Sequence, residues 1–292
     1  MRIRKFAPGV INEFDSLDEL RGFDPLFLEN LDSEIFDNIV AVLGCDKSEI
    51  RDVYPLKQGL TNFHATLRPM TRMGLPAPRV GTELIVNREA EHEALQTAKL
   101  LGLDSTFVFE NPRRGWKVSK FVTDAKNLDS HDDTQLARAM QMARELHESG
   151  ATVGRSFSFY DEGKGYERAI LDRGRIDVPD YWEMEGWATE LNELLIADGG
   201  APVLNHNDFF GLNFLVSKDG HVDLIDWEYA GMSDYANDFG TFCVCEQLSE
   251  EEMARALSHY FGRTPTDAEW RHNLGQVGMA GWCWYAWGAA QG

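Results

Sequence analysis

Asp208, Asn213 and Asp226 are the residues whose types and spacing could do chemistry. They sit in Val203-Leu-Asn-His-Asn-Asp-Phe-Phe-Gly-Leu-Asn-Phe-Leu-Val216 and, ten residues further on, in Asp226-Trp-Glu-Tyr229. Four residues separate Asp208 from Asn213, the H-x-D-x-x-x-x-N spacing of a phosphoryl-transfer loop, and Asp226 follows where such sites carry a metal-binding aspartate. Transfer of a phosphoryl group to an alcohol needs a carboxylate at the hydroxyl, oxygen ligands for Mg²⁺, and a cation on the phosphates. Asp208 suits the first role. Asn213 and Asp226 supply the hard oxygens of the second. His206 is read as the residue that holds this loop together by hydrogen bonds. Taken singly, Asp and Asn in loops usually cap or turn the chain; it is their combination that points to catalysis.

The elements around these residues must bring them together. Phe214-Leu-Val216 and Val222-Asp-Leu-Ile225 flank a Lys218-Asp-Gly220 turn, and a hairpin there returns Asp226 to the end that bears Asn213. Upstream, Val53-Tyr-Pro-Leu56 and Phe63-His-Ala-Thr-Leu67 predict two strands joined by a glycine turn with Thr61 and Asn62 at its tip. Backbone N–H groups at such a tip can cover phosphates, although most turns of this kind bind nothing. Residues 69–81, rich in Pro, Gly and Met, are expected to be loop or irregular edge strand. A helix follows with Ala90, Ala94, Ala98 and Leu101 on one stripe, Asn87 as N-cap and Gly102 as stop. Phe107-Val-Phe109 and residues 116–122 predict two more strands, giving the order strand, strand, helix, strand, strand.

Beyond residues 124–127, expected to cross between lobes, the texture is helical. Residues 134–147 align Leu136, Met140, Ala143 and Leu146, with His147 packed or capping in the last turn. Residues 155–180 are polar and read as an excursion from the compact part, and residues 181–196 as an amphipathic helix. The expected architecture is α+β, with a small antiparallel-sheet lobe and a mainly helical lobe. Its parts are a helical extension over residues 1–45, a nucleotide-binding sheet lobe over 46–123, and a helical lobe over 124–292 carrying the catalytic loop and substrate pocket.

The chain has 292 residues, 43% of them hydrophobic, enough for a large core. Its net charge of −20 opposes nucleic acid and anionic membrane surfaces and favours a cationic small molecule. No apolar run reaches the roughly 20 residues of a membrane span, so a cytoplasmic protein is expected. Cys45, Cys243, Cys245 and Cys283 include no C-x-x-C pair and read as reduced, mostly buried thiols.

Several segments carry a resemblance. Gly59-Leu-Thr-Asn62, Gly81-Thr-Glu83, Asn87-Arg-Glu-Ala-Glu91, Asn205-His-Asn-Asp208 with Asn213, Ile225-Asp-Trp-Glu-Tyr-Ala230 and Trp284-Tyr-Ala-Trp287 resemble the choline/ethanolamine kinase family, within the aminoglycoside-phosphotransferase-like kinases. The match is strongest to bacterial choline kinases that feed phosphocholine to surface polysaccharide. The resemblance implies a protein-kinase-like fold and ATP with Mg²⁺ as cofactors. It implies that Thr61 and Asn62 line the phosphate loop, that Glu91 orients a phosphate-binding cation, and that backbone near Phe121 and Val122 holds the adenine. Family members carry that cation as an Arg just before the Gly-Thr-Glu motif, where this chain offers Arg79 or Arg72.

On the acceptor side, the resemblance makes Trp284 and Trp287 part of a choline cage. A quaternary ammonium cannot donate hydrogen bonds and is held by aromatic faces and nearby carboxylate. An aromatic stripe at helical spacing is otherwise ordinary core. Tyr229, Asp234 and Tyr235 are further candidates, and Glu246 could add negative charge. The sequence ends five residues after Trp287, where family members continue with a further helix, which implies a shortened chain or a more open pocket. Ethanolamine, an aminoglycoside or an amino-sugar stand as alternative acceptors, and an inactive kinase-fold binding protein as an alternative of another class.

Overall fold

The computed structural model describes residues 34–46, 48, 51–56, 62–68, 73–78, 87–113, 116–200 and 202–291. Helix α1 (Glu34–Leu43) precedes strands β1 (Arg51–Leu56), β2 (Asn62–Arg68) and β3 (Met73–Pro78), helix α2 (Arg88–Leu101), and strands β4 (Phe107–Asn111) and β5 (Trp116–Lys120). These five strands form one antiparallel sheet in the order β1-β2-β3-β5-β4. Three strands therefore precede the helix, one more than the sequence pattern indicates. β3 falls in the stretch expected to be loop or edge. Its pairing with β5 stops at Met73 and Gly74, and Pro76 and Pro78 lie beyond it, opposite His64 and Asn62 of β2. Proline, lacking a ladder N–H, is tolerated where a strand has a neighbour on one side.

Helix α2 starts and stops as its sequence dictates. Asn87 accepts from the Ala90 N–H, and Gly102 takes a left-handed conformation at φ 72° that closes the helix on the carbonyls of Ala98 and Lys99. Ala90, Glu91, Ala94, Leu95 and Ala98 are buried, whereas Leu101 is exposed. The buried stripe thus runs through Leu95 and ends one turn earlier than expected.

The crossing after β5 is bonded to the helical part. Lys126 exchanges backbone hydrogen bonds with Val216, and Asn127 donates to the Leu212 carbonyl. Helices α3 (Asp133–His147), α4 (Phe159–Arg173), α5 (Tyr181–Asp198), α6 (Asn237–Cys245), α7 (Glu250–Phe261) and α8 (Asp267–Gln291) surround short strands β6 (Val203–Asn205), β7 (Phe214–Val216), β8 (Val222–Leu224) and β9 (Gly231–Ser233). β6 pairs with β9, and β7 with β8. Leu136, Met140, Ala143 and Leu146 of α3 are all buried, in one cluster with Leu95, Phe107, Phe209, Phe214, Trp227 and Phe242. That cluster spans both parts, so the sheet and the helices share a core.

Two elements differ from their sequence reading. The polar stretch at 155–180 contains α4, which packs on α8 within a second cluster of Phe157, Phe159, Ala188, Tyr229, Met279 and Trp282. Periodicity missed it because α4 contacts α8 through a glycine: a Cβ on Gly163 would overlap the buried Trp282 ring. Gly163→Ala is accordingly expected to lower stability by about 2 kcal/mol through overpacking; thermal denaturation with an unchanged midpoint would contradict this packing. The second is α5, which buries only Tyr181, Ala188 and Leu195 and leaves Trp182, Trp187, Leu194 and Ile196 exposed. None of the four cysteines is in a disulfide; Cys243 and Cys283 are buried and Cys245 is exposed. Among the described residues, no helix is long and apolar enough to cross a membrane.

Candidate active site

The loop between β6 and β7 is held from beneath by one buried carboxylate. Asp238, in the first turn of α6, accepts the backbone N–H of Asn207 on Oδ1 at 2.7 Å and that of His206 on Oδ2 at 3.0 Å. His147 of α3 lies 3.0 Å from the same Oδ2 through Nε2, and its Nδ1 lies 2.9 Å from the Tyr260 hydroxyl. Asn207 has a left-handed backbone, φ 64°, a conformation that Asn tolerates better than most residues. Its side chain donates to the Tyr229 carbonyl and accepts from Ser233 Oγ and Asn237 Nδ2, while its carbonyl accepts from Thr241 Oγ1. This web fixes the backbone that carries the next residue, Asp208.

His206 Nε2 donates to the Ile225 carbonyl at 3.0 Å, and the ring meets Trp227 edge-on. Its Nδ1 is buried without a partner, which fixes a neutral ring, and burial pushes its pKa below the usual imidazole range. His206 thus ties the loop to the far end of the β7–β8 hairpin.

That hairpin has the predicted consequence. The Ile225 N–H donates to the Asn213 carbonyl, so Asn213 and Asp226 meet at one end. Asn213 Nδ2 donates to the Asp208 carbonyl at 2.7 Å and to Asp208 Oδ2 at 2.8 Å. With both N–H groups so engaged, its amide oxygen is left for a cation. Asp226 has a left-handed backbone at φ 68° and a carboxylate about one-third exposed. Burial, and then the charge of Asp226, push the Asp208 carboxyl up to about 7. Glu246 Oε1 accepts the Gly211 N–H at 2.8 Å, so it supports the turn before Asn213. A Cβ on Gly211 would lie 2.9 Å from that oxygen, and glycine is what allows the approach.

On the sheet side, Glu91 of α2 is fully buried. It accepts from Arg88 on Oε2 at 2.7 Å and from Lys117 of β5 on Oε1 at 2.9 Å. Burial would raise its pKa, but Lys117 and Arg88 together hold it below the usual carboxylate range. Lys117 Nζ also lies 3.8 Å from Asp226 Oδ1, linking the sheet to the hairpin end. The lobes are further pinned where the Ser105 N–H donates to Asp223 and the Leu224 N–H to the Leu103 carbonyl.

The aromatic residues of α8 adjoin the loop. The Trp284 ring meets Tyr229 at 5.9 Å, Phe159 at 6.0 Å and Trp287 at 6.3 Å, all edge to face. Its indole N–H donates to Thr241 Oγ1, which in turn donates to the Asn207 carbonyl. Gly240 permits this closeness: a Cβ there would lie 2.7 Å from the Gln276 carbonyl of α8. Arg155 lies over the Tyr229 ring at 5.9 Å while donating to the Glu228 carbonyl and pairing with Glu162.

A model of the phosphotransferase enzyme family matches residues 55–272. The chain belongs to that family. Among curated proteins, LicA of Haemophilus influenzae is 24% identical over 219 residues, 70% of this chain and 62% of LicA's own length. The crystal structure of choline kinase LicA from Streptococcus pneumoniae is similar at a TM-score of 0.74 and 25% identity, covering 88% of this chain and 89% of the other. A crystal structure of LicA in complex with AMP superposes equally well, at a TM-score of 0.74 and 24% identity, over 88% and 89% of the two chains. The α+β, two-lobed, protein-kinase-like fold expected from the sequence is therefore the fold of this phosphotransferase.

In the phosphotransferase, Asp208, Asn213, Asp226, His206 and Glu246 converge on one loop, and Trp284, Trp287 and Tyr229 on one cluster beside it. Of the lesser candidates, Asp234 pairs with His272, and Tyr235 stacks on His272 and Tyr260, so both pack the segment before α6 against α7 and α8. Phe121 and Val122 follow β5, half-buried. Thr61, Arg72 and Arg79 lie outside the described residues, and Asn62 opens β2 opposite Pro78. Sequence reasoning missed Asp238, Thr241, Phe159, Arg155 and Lys117. Asp238 had a signal, an acidic residue in the first turn of a helix just after the catalytic motifs.

Proposed function

We propose that this phosphotransferase moves the γ-phosphoryl group of ATP to the hydroxyl of choline, giving phosphocholine. The observation that carries the reading is the Trp284–Thr241–Asn207 chain of hydrogen bonds, which couples an aromatic cluster to the residue preceding Asp208. A cation held against Trp284 and Trp287 would sit beside the hydrogen-bond chain that ends on Asn207, the residue before Asp208. The LicA structures, one of a choline kinase and one solved with AMP, support a choline-like acceptor and a nucleotide. The net charge of −20 favours approach of a cationic acceptor.

Asp208 orients the acceptor hydroxyl and accepts its proton as the new P–O bond forms. Its raised pKa, about 7, suits a group that gains a proton near neutral pH. Asn213 locks that carboxylate in one rotamer. The amide oxygen of Asn213 and the partly exposed carboxylate of Asp226 are two hard oxygen donors, a set that fits Mg²⁺ bound jointly with nucleotide phosphates. When bound, Mg²⁺ neutralises charge on those phosphates. The protein-side work is positioning. Asp238 and His206 keep the loop in register while the aromatic cluster fixes the acceptor.

Trp287 is partly exposed at the edge of the cluster, so its truncation leaves the core intact. Trp287→Ala is expected to raise KM for choline about tenfold with kcat within about twofold, the loss of one cation–π face. Ethanolamine, whose ammonium donates hydrogen bonds, should be affected less. Steady-state kinetics with both acceptors test this, and an unchanged choline KM would remove the cluster from the acceptor site.

A further inference from the structure

Lys117 stands between the two halves of the active site. Its ammonium lies 2.9 Å from Glu91 on the helix side and 3.8 Å from Asp226 on the loop side. The first distance is a hydrogen bond; the second is too long for one and is an ion pair. Glu91 already holds Arg88 on its other oxygen at 2.7 Å. Glu91 is fully buried and fixes the lysine stem, whereas Asp226 is about one-third exposed and faces the cleft. A lysine tethered through one N–H keeps two others for an incoming acceptor. Burial of an ammonium costs several kcal/mol and is a poor stabilising device on its own. Here it sits 3.8 Å from the carboxylate assigned to Mg²⁺, where phosphate oxygens must come.

The neighbours reinforce this. Glu110 of β4 is also buried; burial followed by the nearby charge of Glu91 pushes its carboxyl up to about 8, and its own partner is His92 Nδ1 at 3.2 Å. Val118, the next residue of β5, is fully buried on the opposite face, which locks the strand that carries the lysine. Among the described residues, Lys117 is the cation paired with Asp226.

We propose that Lys117 is the phosphate-binding cation of this chain. It contacts the non-bridging oxygens of the β- and γ-phosphates of ATP, with Glu91 as its positioning residue. The cation thus comes from β5, after the α2 helix. Before nucleotide binds, Lys117 neutralises Asp226. The inference rests on the ATP-dependent reading of the site, and its test is one of binding, independent of the acceptor.

The test compares ATP and AMP binding by calorimetry, with Mg²⁺ present, in the full-length wild type, Lys117→Met and Lys117→Arg. AMP lacks the phosphates that Lys117 would touch. Lys117→Met is expected to weaken ATP about 30-fold and AMP less than about threefold, the loss of a charge-assisted hydrogen bond. Lys117→Arg should recover part of the ATP affinity. Glu91→Gln, which leaves the cation but loosens it, should weaken ATP about fivefold, less than Lys117→Met does, and AMP less than about twofold. If Lys117→Met does not fold, Lys117→Gln serves in the same comparison. ATP bound by the variant as tightly as by wild type, or ATP and AMP weakened equally, would overturn the inference. A wild type that phosphorylates no acceptor but binds ATP in a Lys117-dependent way would overturn the choline reading and keep this one.

Discussion

Asp208→Asn is expected to lower the rate of choline phosphorylation by about a thousandfold, with KM for ATP changed less than about threefold. Asn keeps the volume and one acceptor oxygen, so Asn213 can still donate to the side chain as it does at 2.8 Å in the native loop. What is lost is the capacity to take the hydroxyl proton. Because burial and Asp226 already disfavour the ionised carboxylate, removing its charge relieves the site, and the folded protein should not be less stable. A coupled assay of ADP formation, together with the thermal midpoint, separates loss of chemistry from loss of fold. Activity within tenfold of wild type would contradict the assigned role.

The second large effect is expected at a residue that touches no substrate. Asp238→Asn replaces one carboxylate oxygen by an NH₂ group facing backbone N–H donors. In the native chain Oδ1 accepts Asn207, and Oδ2 accepts His206 and faces His147. Whichever way the amide turns, a donor meets a donor in a fully buried place, at a cost of about 3–5 kcal/mol. Thermal denaturation should show a clear fall in midpoint, and kcat should fall with it because Asp208 follows directly on the two residues released. KM for ATP, set on the sheet side, should move little. A variant with native stability and native kcat would mean that the loop holds its shape without Asp238. For comparison, the exposed Arg144–Glu148 pair is worth at most about 1 kcal/mol.

These two positions also mark what the amino-acid sequence made legible. Asp208, Asn213 and Asp226 could be read because their roles depend on short spacings and on a hairpin that a Lys-Asp-Gly turn announces. The caps of α2 were readable for the same reason: Asn87 and Gly102 act on neighbours. Asp238 and Lys117 act on residues far along the chain, Asp238 some 31 positions from Asn207 and Lys117 some 26 from Glu91. No local pattern encodes such partners. β3 and α4 were misread because their local chemistry runs against their structure. Two prolines sit where β3 has outrun its second neighbour, and a glycine in α4 admits a tryptophan ring that a periodicity argument cannot anticipate. The buried stripe of α2 shifted towards Leu95 because its last turn projects past the core, leaving Leu100 and Leu101 exposed.

The central claim is the identity of the reaction, and one measurement bears on it most directly. The purified chain is incubated with ATP and Mg²⁺ and, in parallel, with choline, ethanolamine, an aminoglycoside or no acceptor, while ADP release is followed and the products are read by ³¹P resonance. The expected result is acceptor-dependent ADP release that is fastest with choline, matched mole for mole by phosphocholine and abolished by Asp208→Asn. Nucleotide binding without phosphorylation of any acceptor, or a higher kcat/KM for an aminoglycoside than for choline, would contradict it.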